Sequence, residues 1–210
     1  MIILIGNIKG GVGKSTLSTN LAALLVQQGK DVVIVDADRQ STTANWTADR
    51  NTTEKPKVHC VRQYDSIRET LQDLSNRYDV VIADCQGRDS LELRSGMLVA
   101  NRLIVPFKPS QPDLDTLPTI SNIIKDSKLI NPTMQALGLL TIAPTNPSIT
   151  EISDSLKFAK NYAEIKMLET IIFDRKVYRD AISLGLGVIE MDNDKAKQEI
   201  ENLLLEVLNG

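Results

Sequence analysis

The apolar positions of this chain fall in short, dense runs separated by longer stretches of helical period. IILI (2–5) and VVIV (32–35) are runs of β-branched and aliphatic residues that end abruptly in Gly-Asn and in Asp, as strands buried on both faces do. Runs of the same kind stand at VVIA (80–83), RLIVP (102–106), LGLLTIA (137–143) and MLETIIF (167–173), with a shorter one at VHCV (58–61). From Lys14 onward the period changes: Leu17, Leu21, Leu24 and Leu25 share one side of a helix that Gly29 stops. Helices are also predicted over roughly 63–77, 113–128, 150–162, 177–184 and 194–208, and the polar run 47–57 reads as an exposed loop. Strands alternating with helices predict an α/β fold: one domain over 1–210, in three layers, with a mainly parallel twisted sheet covered by helices on both faces.

Composition narrows the class. A chain of 210 residues, 42% hydrophobic and 24% charged, has the balance of a soluble globular domain with a substantial core. Its apolar runs are interrupted well short of the ~20 residues a membrane span needs. MIILIGNIKGG has no basic lead, so no signal peptide is predicted and a cytoplasmic location is expected. Cys60 and Cys85 make neither a disulfide framework nor a zinc quartet and read as packed free thiols. His59 and Cys60 are adjacent on a strand and face opposite ways, so they read as packing residues rather than a metal pair. Trp46 also reads as a packing residue. The net charge of −3 gives no global attraction to nucleic acid. Residues 157–179 are locally basic, however: Lys157, Lys160, Lys166, Arg175, Lys176 and Arg179 against Glu164, Glu169 and Asp174, a net +3 that leaves −6 elsewhere.

The candidate chemistry begins where the first strand meets the first helix, in GNIKGGVGKST (6–16). Strand, glycine-rich loop and helix in that order form a phosphate cradle. Across Gly10, Gly11, Val12 and Gly13, successive backbone N–H groups can curl around phosphate oxygens, and the helix directs its positive end at the same anion. Lys14 is expected to bridge the β- and γ-phosphates of ATP, Ser15 to ligate Mg²⁺, and Thr16 to touch the α-phosphate. The strict pattern G-x-x-x-x-G-K-[ST] is broken at its first position, Ile8, and a second lysine, Lys9, stands in the loop.

Two further strands end in carboxylates. VVIVDAD puts Asp36 and Asp38 at one strand end, and VVIADCQG puts Asp84 at another. The expected roles are Asp84 behind the direct ligands of the metal and Asp38 positioning a water for attack on the γ-phosphate. Asp36 either supports the metal or merely caps its strand. Gly87 is placed to offer a backbone N–H to the γ-phosphate.

KGGVGKS with the extra Lys9, then DAD-x-Q, then the IADxxG strand end, resembles the deviant Walker A ATPases, which include the ParA partition ATPases and MinD. The likeness extends over nearly the whole chain and is to the small ParF-like type, without an N-terminal helix-turn-helix extension. DADRQSTTANW resembles the DxDPQ segment that leads into a helix, with Arg39 in place of proline. IVPFKPSQPDLDTL resembles a strand followed by a Pro-Ser-x-x-Asp segment near the nucleotide, and RKVYRDAISLGLGVIE a C-terminal helix and final strand. The resemblance implies a P-loop fold and an ATP-sandwich homodimer in which Lys9 reaches the nucleotide of the other subunit. It also implies non-specific DNA binding by that dimer, slow hydrolysis stimulated by a ParB-type centromere-binding partner, and nucleoid-associated partition of plasmid or chromosome. Arg175, Lys176 and Arg179 are the residues expected to meet DNA phosphate, in a sequence-independent and salt-sensitive way.

Three rivals share the loop. MinD-like positioning on a membrane needs a basic amphipathic tail, whereas DNDKAKQEIENLLLEVLNG carries two bases against five acids. Its stripe of Ile200, Leu203, Leu204, Val207 and Leu208 is expected to pack on the sheet, so no membrane contact is expected. A carboxylate-activating metabolic enzyme of the same fold needs a second substrate pocket for which the chain has little spare length. A nucleotide switch that scarcely hydrolyses is the third.

Overall fold

The computed structural model describes residues 1–146 and 150–209. Its frame is a seven-stranded sheet: β1 (Ile2–Ile5), β2 (Val32–Ala37), β3 (His59–Arg62), β4 (Val80–Cys85), β5 (Arg102–Phe107), β6 (Gln135–Ala143) and β7 (Lys166–Phe173). The strand order is β3-β2-β4-β1-β5-β6-β7 and every neighbouring pair is parallel. β1 therefore lies in the middle, flanked by β4 and β5. A parallel sheet needs apolar cover on both faces, and side chains alternate accordingly. Ile2 and Leu4 join one buried cluster with Val81, Leu103 and Ile120, while Ile3 and Ile5 join the other with Leu17, Ile34 and Leu203.

The helices are α1 (Lys14–Gln27), α2 (Thr42–Arg50), α3 (Arg68–Ser75), α4 (Leu91–Met97), α5 (Gln111–Leu114), α6 (Leu117–Lys128), α7 (Glu151–Ala159), α8 (Lys176–Ser183) and α9 (Asp194–Asn209). Residues of α1, α2, α8 and α9 fill one cluster, and those of α3, α4, α6 and α7 the other. Of the stripe on α9, Ile200, Leu203, Leu204 and Val207 are buried against the sheet as expected, but Leu208 is exposed. Glu206 on the same helix accepts from Glu169 N and Thr170 N, closing donors of the edge strand β7.

Four local expectations change. The supposed loop at 47–57 begins as the last turn of α2, with Thr47 and Arg50 buried. Arg50 lies wholly inside because Glu190 binds its guanidinium at both oxygens, 2.9 and 3.0 Å, while Pro56 O and Gly185 O accept from it. The helix expected over 113–128 is two pieces, with a proline in the first turn of each, where the missing N–H is tolerated. The final strand is instead a 3-10 turn, Val188–Glu190. An added Cβ on Gly187 would come within 2.6 Å of Ala23 Cβ, so the chain packs on α1 there. The helix α4 was not foreseen.

Candidate functional site

The phosphate loop leaves β1 at Gly6 and enters α1 at Lys14. Gly11 and Gly13 hold φ of 71° and 85°, a conformation that side chains oppose. Gly13 is the residue before α1, and that helix has neither a side-chain cap nor an acid in its first turn. Its free N–H groups and positive dipole end are thus left for an anion. Lys14 is buried, with Nζ 3.1 Å from the Lys9 carbonyl oxygen. Burial lowers its pKa, an effect that the charges of Asp84 and Asp38 oppose. Together with Gly10, Ser15, Thr16 and Asp38, these residues line a cavity of about 530 Å³.

The two strand-end carboxylates behave differently. Asp36 and Asp84 are register partners on β2 and β4, and Asp84 is also paired with Ile5 at the end of β1. Asp36 is consumed by its own loop: Oδ1 accepts from Asp38 N (3.1 Å) and Oδ2 from Ala44 N (2.8 Å), in the first turn of α2. Both Asp36 oxygens thus serve the turn into α2, the capping alternative, with one backbone donor on each. Asp84 is the opposite case. It is fully buried and neither oxygen has a hydrogen-bond partner. Burial lifts its pKa to about 7, against the influence of nearby Ser15 and Lys14; Ser15 stands beside it without completing a bond. An orphaned buried carboxylate needs a cation or ordered water in reach. Among the described residues no three His, Cys, Asp or Glu side chains gather as a metal cage. That suits Mg²⁺, which favours few protein ligands, phosphate oxygens and waters. Ser15 and Asp84 fit it.

The loop after β4 closes over this cradle. A Cβ on Gly87 would lie 2.5 Å from Gly10 Cα and 2.8 Å from Lys9 O, so the two loops touch backbone to backbone. Buried Gln86 is held by Glu92 Oε2 at 2.9 Å, and Arg88 beside it lines the cavity. Asp38 keeps its turn by accepting Gln40 N at Oδ1 (3.0 Å). Val12 is buried, and its carbonyl accepts the Thr141 hydroxyl at 2.9 Å, tying the loop to β6. The Lys9 side chain is not among those lining the cavity.

A family model for the CobQ/CobB/MinD/ParA nucleotide-binding domain matches residues 3–205. The chain belongs to this family. It is a P-loop ATPase of the ParA/MinD type, with ATP and Mg²⁺ as its nucleotide and metal. Among curated proteins it is 26% identical to the maintenance of carboxysome distribution protein A of Halothiobacillus neapolitanus, over 98% of this chain and 95% of that one. It is 33% identical to the protein of the same name from Gloeobacter kilaueensis, over 94% and 88%. The chromosome partitioning protein ParA of Myxococcus xanthus is 23% identical, over 91% and 81%. Among solved structures, apo McdA of Cyanothece superposes with a TM-score of 0.81 at 15% identity, over 99% of this chain and 98% of that one, a likeness of fold.

Sequence reasoning left several residues of this ATPase's site unnamed. Arg88, Gln40, Thr42, Gln86, Ile142 and Ile182 all line the cavity. Lys108 Nζ comes within 3.8 Å of where a Gly11 Cβ would stand, a further lysine at the phosphate loop. The segment carrying it is fixed by buried Asp113, whose oxygens accept from Lys108 N and Ser110 Oγ. The sequence signal was the Lys-Pro-Ser directly after a strand.

The basic segment of the ATPase is not one patch. Lys157 and Lys160 lie at the end of α7, on the opposite face of the sheet from α8. Arg175, expected to be free for DNA, is only 19% exposed: it pairs with Glu199 at 2.7 Å and stacks on Phe173. Lys176 and Arg179 remain exposed, at 80% and 68%, although each has an acid beside it, Asp180 and Asp174. Among the described residues no helix is long and apolar enough to cross a membrane.

Proposed function

We propose that this ATPase is a nucleotide-switched homodimer that binds DNA non-specifically and distributes a cargo over it, releasing DNA when a cargo-bound partner stimulates hydrolysis. Lys9 carries the reading. Its carbonyl holds Lys14, while its side chain is not among those that line the cavity of its own subunit. Two protomers facing one another across their phosphate loops bring each Lys9 to the other's nucleotide. Within a protomer, Lys14 and the N–H groups of Gly10 to Thr16 bind the phosphates, Asp38 positions the attacking water, and the Gly87 N–H senses the γ-phosphate. Mg²⁺ would be held by the Ser15 hydroxyl with Asp84 behind it, and would supply charge neutralisation for the phosphates.

Of the three residues expected to meet DNA phosphate, Lys176 and Arg179 are the exposed ones. Dimerisation doubles them on one surface, which makes binding depend on ATP and on salt. For the cargo, the length matched by the carboxysome-distribution relatives favours a protein body carried through an adaptor, with a ParB-type partner on DNA as the other reading. Four of the five stripe residues of α9, Ile200, Leu203, Leu204 and Val207, are packed in the core, which speaks against a membrane track. Binding to a non-specific duplex is measured with ATP, with ADP and without nucleotide, at two salt concentrations. Binding with ATP alone that weakens with salt is expected; equal binding in all three states contradicts the switch.

A further inference from the structure

Ile142 has a φ of 52°, in the left-handed region. A β-branched residue there is a genuine outlier and costs on the order of 1–3 kcal/mol. Glycine would hold this backbone without strain. The neighbours allow Ile142 no escape. Thr141 before it is fixed by its hydroxyl, 2.9 Å from Val12 O and 3.2 Å from Phe107 O. Ala143 after it accepts Asp174 N at 2.8 Å. The register between β6 and β7 breaks across this point, between Leu140 and Ala143.

The strained side chain stands between two cavities. One is the phosphate cradle already described. The other, of about 200 Å³, lies beyond Thr16 and is walled by Leu17, Ile172, Phe173 and Tyr178, with Asp174 and Arg179 as polar members. Gly13, Thr16 and Ile142 line both. A ligand whose phosphates occupy the cradle can extend into the second cavity only past these three. Gly13 has no side chain and Thr16 a short one, so Ile142 is the one bulky element of the divide. Its Cδ1 lies 3.9 Å from where a Gly13 Cβ would stand, directly against the phosphate loop.

We infer that Ile142 is a specificity-determining residue: it is the apolar ridge over which the bound nucleotide turns, packing on the part that follows the phosphates and leading the sugar and base into the second cavity. The inference rests on the nucleotide reading of the cradle and adds to it a residue that touches only the non-phosphate end. In this conformation the side chain lines the cradle and lies against the phosphate loop.

The test compares ATP with inorganic tripolyphosphate, both with Mg²⁺, by titration calorimetry on the parent and on Ile142→Gly. Removing the side chain while relieving the backbone is expected to leave the ligand-free melting temperature unchanged or raised. ATP affinity is expected to fall about tenfold, the size of one lost apolar contact of this kind, with tripolyphosphate affinity unchanged. Ile142→Asn, short and tolerant of the left-handed region, is expected to give the same split if the glycine variant folds poorly. Equal losses for both ligands, or no loss for ATP, would overturn the assignment; the first would leave Ile142 a support of the phosphate loop, and both would leave the cradle reading intact.

Discussion

The guanidinium of Arg50, at the end of α2, and the carboxylate of Glu190, 140 residues later, form a two-point ion pair with neither side chain more than 4% exposed. Trp46 lies over the same guanidinium, 5.3 Å from it, and donates Nε1–H to Leu186 O. This pair locks the helix that follows the Asp36–Asp38 turn to the segment between α8 and α9. Glu190→Ala leaves a buried charge unpaired, so it is expected to lower unfolding free energy by about 3–5 kcal/mol in urea. Trp46 emission of the folded variant is expected to shift. A loss below 1 kcal/mol would mean that water reaches Arg50.

Gly87 has no room for a methyl group, since the atoms it would meet, Gly10 Cα, Gly10 N and Lys9 O, are all backbone. Gly87→Ala must therefore push the loop after β4 off the phosphate loop. Displacements near 1 Å can cost about a hundredfold in turnover. Hydrolysis is expected to fall by roughly that factor, with little change in melting temperature. Steady-state rates at saturating ATP check it, and a variant within twofold of the parent would show that the contact is dispensable.

Asp84 makes stability depend on pH without metal. Its pKa is about 7 in the folded chain and near 3.8 when exposed. Below the lower value both states are protonated and the group is neutral to stability. As pH rises from about 4 to 7, the unfolded chain releases a proton that the folded chain retains, so folding loses up to about 4 kcal/mol, levelling above pH 7. Asp84→Asn should flatten this slope in urea titrations with chelator present and be more stable than the parent at pH 8. Identical slopes in the two proteins would place the cause elsewhere.

Lys176→Ala and Arg179→Ala together are expected to weaken non-specific DNA binding and to reduce its salt slope by about 2. Arg175→Ala acts on stability through Glu199 and Phe173 instead. Salt titrations of all variants separate the two effects; a slope unchanged in the double variant moves the DNA surface off α8.

What the sequence conveyed well was local. A strand that ends in Asp or in Gly-Asn is visible as a string, and so are the loop at 6–16, Asp38, Asp84 and the strand–helix alternation. What it hid depends on partners far along the chain. Arg50 reads as solvated until Glu190 is found, and Arg175 as free until Glu199 is found. Asp36 and Asp84 end their strands in the same way, yet one is capped by backbone N–H groups and the other left bare, a difference made by the α2 turn. The left-handed backbone of Ile142 has no sequence signature at all, since nothing in Thr-Ile-Ala announces it.

The central claim is that Lys9 acts across a dimer that ATP creates. Sedimentation velocity with Mg²⁺ and a slowly hydrolysed ATP analogue, on the parent and on Lys9→Ala, tests it most directly. The parent is expected to sediment as a dimer with the analogue and as a monomer with ADP. Lys9→Ala should bind the analogue with near-parental affinity yet stay monomeric. A variant that dimerises as well as the parent, or a parent that stays monomeric with the analogue, would contradict the account.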